Sequence, residues 1–125
     1  MPHPFADLVG LSVDSNEAGA STASVVIDPL LHHNPHDVVH GALYFALADT
    51  GMGAALYPTL NDGETCATID VKINFFRPAT EGRLICKTQL INKGRTTANL
   101  DSSIYLGDKL VARANGDYAI IAPRS

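Results

Sequence analysis

Sixteen consecutive residues, GALYFALADTGMGAAL from Gly41 to Leu56, are rich in alanine and leucine and carry a single charge, Asp49. At 3.6 residues per turn their apolar side chains point in every direction, and a helix apolar on all sides must be enclosed by the rest of the chain. Glycines at 51 and 53 weaken such a helix by about 1 kcal/mol each relative to alanine, a cost that close packing against another backbone offsets. Pro58 ends the segment. Whatever else the chain folds into, it has to wrap this helix.

The flanking segments supply strands. Residues 5–9 fit a short helical turn, and residues 11–28 read as two strands broken near Glu17-Ala18-Gly19. Residues 29–39, with two prolines, an asparagine and three histidines, read as a loop. After the helix, Ile69, Val71, Ile73 and Phe75 alternate with Thr68, Asp70, Lys72, Asn74 and Phe76, the period of a two-faced strand. Pro78 to Gly82 is a turn, residues 83–91 a strand, Asn92-Lys93-Gly94 a tight connection, and residues 95–106 and 109–121 two strands around a Gly107-Asp108 hairpin. Gly116 within the last strand predicts a bulge there. Short turns predict that consecutive strands are antiparallel neighbours. The expected architecture is α+β: one long central helix wrapped by a curved antiparallel sheet of about six strands, in one domain over residues 1–125.

Composition narrows the partners. With 9 Lys+Arg against 13 Asp+Glu, the net charge is −4, and no basic stripe offers itself to nucleic acid. No stretch approaches the roughly 20 apolar residues of a membrane span, and the N-terminal residues do not have the form of a secretory signal. Two cysteines, Cys66 and Cys86, are too few for a disulfide framework, so a reducing, cytoplasmic setting is expected and both thiols are read as small apolar groups.

Asp49 is the leading chemical candidate. A carboxylate buried without a partner costs several kcal/mol, so it is either held by a nearby loop or tuned as a base or nucleophile facing a cavity. The second candidate is His40-Gly41 at the helix start. Backbone N–H groups there lack internal acceptors and sit at the positive end of the helix dipole, and glycine lets a carbonyl approach, though it also simply eases a turn. His40 and Asp49 are nine residues apart, about 13 Å along the axis and two and a half turns around it. An oxyanion donor and a base must both lie about 3 Å from the reacting atoms. If both act, they therefore come from two chains, with their helices antiparallel about a two-fold axis. The histidines His32, His33, His36 and His40 raise a metal site, but without an HExxH pattern, and with Pro35 disfavouring a helical register, a polar loop is the expected reading. Arg77, Lys93 and Arg95 place cations at strand ends, fit either for phosphate or for solvent.

The segment NPHDVVHGALYFALADTG, read as Asn34-x5-His40-Gly41-x7-Asp49, resembles the signature of hotdog-fold thioesterases of the phenylacetyl-CoA (PaaI-like) type, and ATIDVKINFFRPATEGRL resembles their following strand. The resemblance covers about residues 30–121. It implies a hydrolase acting on an acyl-CoA thioester without cofactor or metal. On this resemblance Asp49 is the general base or nucleophile and the Gly41 N–H polarises the thioester carbonyl. Asn34 helps hold that carbonyl or the water, and Thr68 orients the water. His40 and Ala42 flank the substrate, and Arg77, Lys93 or Arg95 meet the CoA phosphates. It further implies a homodimer with the site at the interface, often a dimer of dimers. The family's usual second glycine after the histidine is Ala42 here, which adds a methyl group beside the carbonyl site.

Two other functions fit a hotdog domain. Asn34-Pro35-His36-Asp37 superficially resembles the motif of enoyl-CoA hydratases, yet His32 stands where the motif has its aspartate and no residue separates Pro35 from His36, so the acid–base pair is incomplete. A non-catalytic acyl-CoA binding module is the alternative from another class; such regulators carry an effector domain, for which 125 residues leave no room.

Overall fold

The computed structural model describes residues 2–123. In chain order the elements are α1 (Pro4–Val9), β1 (Leu11–Glu17), β2 (Ala20–Val26), α2 (Pro29–His32) and α3 (Gly41–Leu56). A short 3-10 turn (Tyr57–Thr59) follows, then β3 (Thr65–Phe75), β4 (Arg83–Lys93), β5 (Thr97–Leu106) and β6 (Lys109–Ile121). The six strands form one antiparallel sheet in the order β1-β2-β4-β5-β6-β3, with α3 packed along it. This is the α+β hotdog arrangement expected.

Helix α3 begins where His40 turns its Nδ1 back to accept the Ala42 N–H at 2.9 Å, an N-cap formed by a histidine. Its buried side lies over two contiguous groups. Leu43, Tyr44 and Leu47 pack on Val25, Leu84, Ile104 and Ala112, while Ala48, Met52, Ala55 and Leu56 pack on Leu100, Ala114, Tyr118 and Ile120. Each fully buried leucine contributes about 1.5–3 kcal/mol. Between the two groups, helix and sheet backbones come close. The Gly51 carbonyl accepts from Ser21 Oγ at 2.6 Å, and a Cβ at Gly51 would sit 2.7 Å from Thr88 Oγ1.

The sequence expectations need five corrections. First, β3 and β4 are not neighbours: β3 pairs with β6, and residues 76–82 carry the chain across to the other side of β5 and β6. Phe76 and Arg77 donate backbone N–H groups to Val111 along the way, so a seven-residue connection has reach enough to cross rather than to turn back. Second, residues 29–39 are not all loop, because Asp28 caps the Leu30 N–H at 3.0 Å and Pro29 starts the short helix α2. Third, α3 is not enclosed all round: Ala42, Phe45, Ala46, Asp49, Thr50, Gly53, Ala54 and Tyr57 follow one stripe along a groove of about 1060 Å³. Fourth, Gly53 lies on that stripe with nothing within 4 Å of a would-be Cβ, so only Gly51 answers to close packing.

The fifth concerns the bulge. β6 does bulge, but at Val111, the extra residue opposite the Ile104–Tyr105 step of β5; near Gly116 the irregularity lies on β3 instead, where Ile69 is the extra residue opposite the Tyr118–Asp117 step. Gly116 serves a different purpose: a Cβ there would come within 2.7 Å of Met52 Sδ and 3.2 Å of the Asp70 carbonyl. The bulge breaks the uniform alternation expected of β3. Before it Cys66 and Thr68 face α3, and after it Val71 and Ile73 do. Ile69 is turned out, 57% exposed.

Replacing Gly51 with alanine gains helix propensity but forces a methyl group onto Thr88. The expected result is a net loss of about 1–3 kcal/mol in equilibrium urea unfolding. Unchanged or increased stability would contradict the close approach.

Candidate active site

The groove along α3 is mostly apolar, with His3, Asn16 and Thr50 also on its walls and its main polar patch around Asp49. Asp49, half-buried, meets two hydroxyls from the sheet: Thr68 Oγ1 donates to its Oδ1 at 2.7 Å, and Tyr118 Oη bonds to the same oxygen. Tyr118 Oη also lies 2.8 Å from the Asp49 carbonyl oxygen. Oδ2 accepts from no group among the described residues, and the groove lies open beside it. Around this patch stand Ala42, Phe45, Ala46, Cys66 and Tyr57, with Phe5 and Val13 beyond. A carboxylate with one oxygen anchored and the other free is equipped to take a proton or to attack an electrophile.

Burial, and then the bond to Asp49, push the Tyr118 hydroxyl far above its ordinary pKa, so it stays protonated as a donor. Cys66 is also pushed up, first by burial and then by the negative charge of Asp49. That thiol is therefore a poor nucleophile.

Gly41 opens onto a different surface. With Val39, Tyr44, Phe75, Phe76, Arg77 and Pro78 it lines a second cleft of about 350 Å³. Its N–H has no acceptor among the described residues, whereas the next amide, that of Ala42, is taken by His40. A Cβ at position 41 would lie 3.1 Å from the ring of the exposed Phe75, which would have to shift by a few tenths of an ångström to admit it. From Gly41 to Asp49 the helix climbs eight residues, about 12 Å. Thr68 and Ala42 thus lie with Asp49, and Arg77 with Gly41.

The remaining candidates are scattered. Asn34 shares the helix-entry loop, where its Oδ1 accepts the His36 N–H at 2.8 Å and its own N–H bonds to the Val38 carbonyl. Lys93 Nζ donates to the Thr59 carbonyl at 2.7 Å, beyond the other end of α3, and Arg95 follows in the β4–β5 turn. The histidine rings that have partners bond to backbone rather than to one another. Buried His32 accepts from the Asp28 N–H at Nδ1 and bonds to the Val9 carbonyl through Nε2, while His33 Nε2 bonds to the Thr80 carbonyl. Among the described residues no group of three or more His, Cys, Asp or Glu side chains is placed to hold a metal ion, and no helix is long and apolar enough to cross a membrane.

Tyr118 is the site residue that sequence reasoning missed. A signal existed: Ala112, Ala114, Gly116, Tyr118 and Ile120 share one face of β6, and a tyrosine on a buried face needs a partner for its hydroxyl. The only charge on the facing helix is Asp49.

Because the charge of Asp49 raises the Cys66 pKa, Asp49→Asn is expected to increase the thiolate fraction. Alkylation of Cys66 by iodoacetamide at pH 8, followed by mass spectrometry, is expected to run at least about twofold faster in that variant, with buried Cys86 as an internal control. An equal or slower rate contradicts the coupling.

Comparison with known proteins follows the same lines. The sequence model of the thioesterase superfamily matches residues 36–113, more than half of the chain. A protein of Saccharolobus solfataricus described as a candidate esterase is 30% identical over 84 residues, covering 66% of this chain and 55% of its own length. The chain thus spans little more than half of that relative. Among solved structures, a conserved protein of Pseudomonas aeruginosa superposes with a TM-score of 0.88 at 28% identity, covering 97% of this chain and 96% of that one. A mutant of the phenylacetic acid degradation protein PaaI from Thermus thermophilus shares the fold with a TM-score of 0.86 at 24% identity, over 94% and 98% of the two chains. With the helix, the sheet order and the sequence match in agreement, the chain belongs to the thioesterase superfamily and has the hotdog fold of its PaaI-like members.

Proposed function

We propose that the protein hydrolyses acyl-CoA thioesters, with Asp49 of one copy and the Gly41 amide of a second copy completing each site. The observation that carries this reading is the Asp49 carboxylate, anchored through one oxygen and open through the other onto an apolar groove. Asp49 Oδ2 takes a proton from water as the water oxygen bonds to the thioester carbon. The carbonyl oxygen gains negative charge, which the unpaired Gly41 N–H stabilises at the positive end of α3. Collapse of that intermediate breaks the C–S bond and releases CoA thiol, which takes up the proton, and the free acid. Direct attack by Asp49, giving an anhydride that water then opens, uses the same groups.

Two copies are required by distance, since about 12 Å separates the acid from the amide within one helix. The free edge of β3, eleven residues long with Ile69 and Phe75 more than half exposed, offers a surface for pairing. With the helices antiparallel, Arg77 of one copy and Lys93 and Arg95 of the other fall toward the same end, where they serve the CoA phosphates. Asn34, in the helix-entry loop, keeps its side-chain N–H group for the carbonyl or water. The acting assembly is a dimer or a dimer of dimers in the cytoplasm.

Release of free thiol from a panel of acyl-CoA esters tests the activity. Asp49→Ala is expected to lower kcat by at least about a hundredfold with an unchanged circular dichroism spectrum. Near-normal turnover in that variant, or no thiol release by the wild type from any ester, overturns the reading. Specific activity is also expected to fall on dilution in step with dimer dissociation measured by sedimentation; a fully active monomer contradicts the shared site.

A further inference from the structure

We propose that Tyr118 is a positioning residue for Asp49, and that with Thr68 it assigns Oδ1 to anchoring and Oδ2 to chemistry. Thr68 and Tyr118 are directly paired across β3 and β6, so their side chains leave the sheet on the same side and reach the same carboxylate oxygen. Tyr118 is 3% exposed and has a single proton to give. The Asp49 carbonyl, although 2.8 Å away, sits mid-helix, where its acceptor role is filled by the following turn; the proton goes to the carboxylate. Two donors on one oxygen fix the carboxylate plane, since rotation breaks both bonds together.

The bulge makes this pairing work. Val71 and Ile73 face α3 from the C-terminal half of β3, and in an unbroken strand Thr68 would then point the opposite way. The extra residue, Ile69, resets the alternation so that Thr68 joins Tyr118 beneath Asp49 while Ile69 itself turns outward. Anchoring is thus built within one chain, from β3, β6 and α3.

The inference rests on the thioesterase reading, and the experiment separates the two. Steady-state kinetics with whichever acyl-CoA ester the wild type turns over are compared for Tyr118→Phe, Thr68→Val, their double variant, Thr68→Ser and Asp49→Ala. Tyr118→Phe is expected to lower kcat by about ten- to a hundredfold with KM within about twofold. The double variant is expected to lose less than the product of the two single losses, because both donors serve one oxygen. Thr68→Ser, which keeps a hydroxyl for the same oxygen, is expected to hold kcat within about threefold of the wild type, whereas Thr68→Val lowers it with KM little changed. A general loss of packing follows the methyl group missing from Thr68→Ser rather than the hydroxyl missing from Thr68→Val. Normal kcat in Tyr118→Phe, with Asp49→Ala inactive, overturns the role of Tyr118 alone. An active Asp49→Ala overturns the thioesterase reading and this inference together.

Discussion

The organising constraint is an ionisable carboxylate in the middle of a helix that is otherwise apolar. Tyr44 and Thr50 are the other polar side chains of this helix and neither bonds to Asp49, and unpaired burial would cost several kcal/mol. The sheet removes that cost with two hydroxyls reaching one oxygen. For them to reach, helix and sheet must approach closely, and this sets small residues at two levels. Gly51 brings the helix down onto Ser21 and Thr88, and Gly116 clears space on β6 for Met52. A methyl group at either place would have to displace a neighbour. The carboxylate, the glycines and the bulge are parts of one solution.

Much of this was legible in the sequence because it depends on periodicity and composition. An apolar segment of sixteen residues between strand-like runs left few architectures open, and Asp49 stood out in it as the only charge. What escaped was whatever depends on strand pairing. The alternation from Thr68 to Phe76 looked uniform, and only the pairing with β6 reveals that Ile69 is an extra residue and that the faces exchange there. Gly116 drew the bulge of β6 to the wrong position, since a glycine in a strand marks either a bulge or a close contact; here it is the contact, and β6 bulges at Val111. The crossing of residues 76–82 was hidden for a related reason: Pro78 and Gly82 suit a tight turn as well as a passage over the sheet end. The helix-entry histidines drew attention as metal ligands, yet each ring nitrogen that has a partner bonds to backbone.

Helix α3 has three functional directions that its sequence alone does not separate. Leu47, Met52 and Leu56 point into the core, the stripe from Ala42 to Tyr57 lines the groove, and Gly41 opens at the tip onto another cleft. Because apolar side chains serve both core and groove, the hydrophobic pattern shows no preferred side. The two glycines of the segment illustrate the ambiguity: Gly51 is fixed by contact with the sheet, whereas Gly53, two residues on, faces open space. A bound acyl group and a protein core ask for the same kind of surface. Direction had to come from the sheet.

The division between the helix tip and its middle also explains why His40 belongs to the fold as much as to any ligand. By accepting the Ala42 N–H it closes off one of the free amides of the helix start and leaves that of Gly41 without a partner. An oxyanion at that end would then meet a single well-defined donor in the field of the whole helix, rather than several competing ones. At the middle of the helix the logic is mirrored: Oδ1 of Asp49 is saturated by two donors, and Oδ2 is left without any. In both places the protein satisfies one of two equivalent groups and leaves the other exposed. The two exposed groups lie about 12 Å apart on one helix, so if both are to act on one bond, as in the function proposed, they have to come from two associated copies.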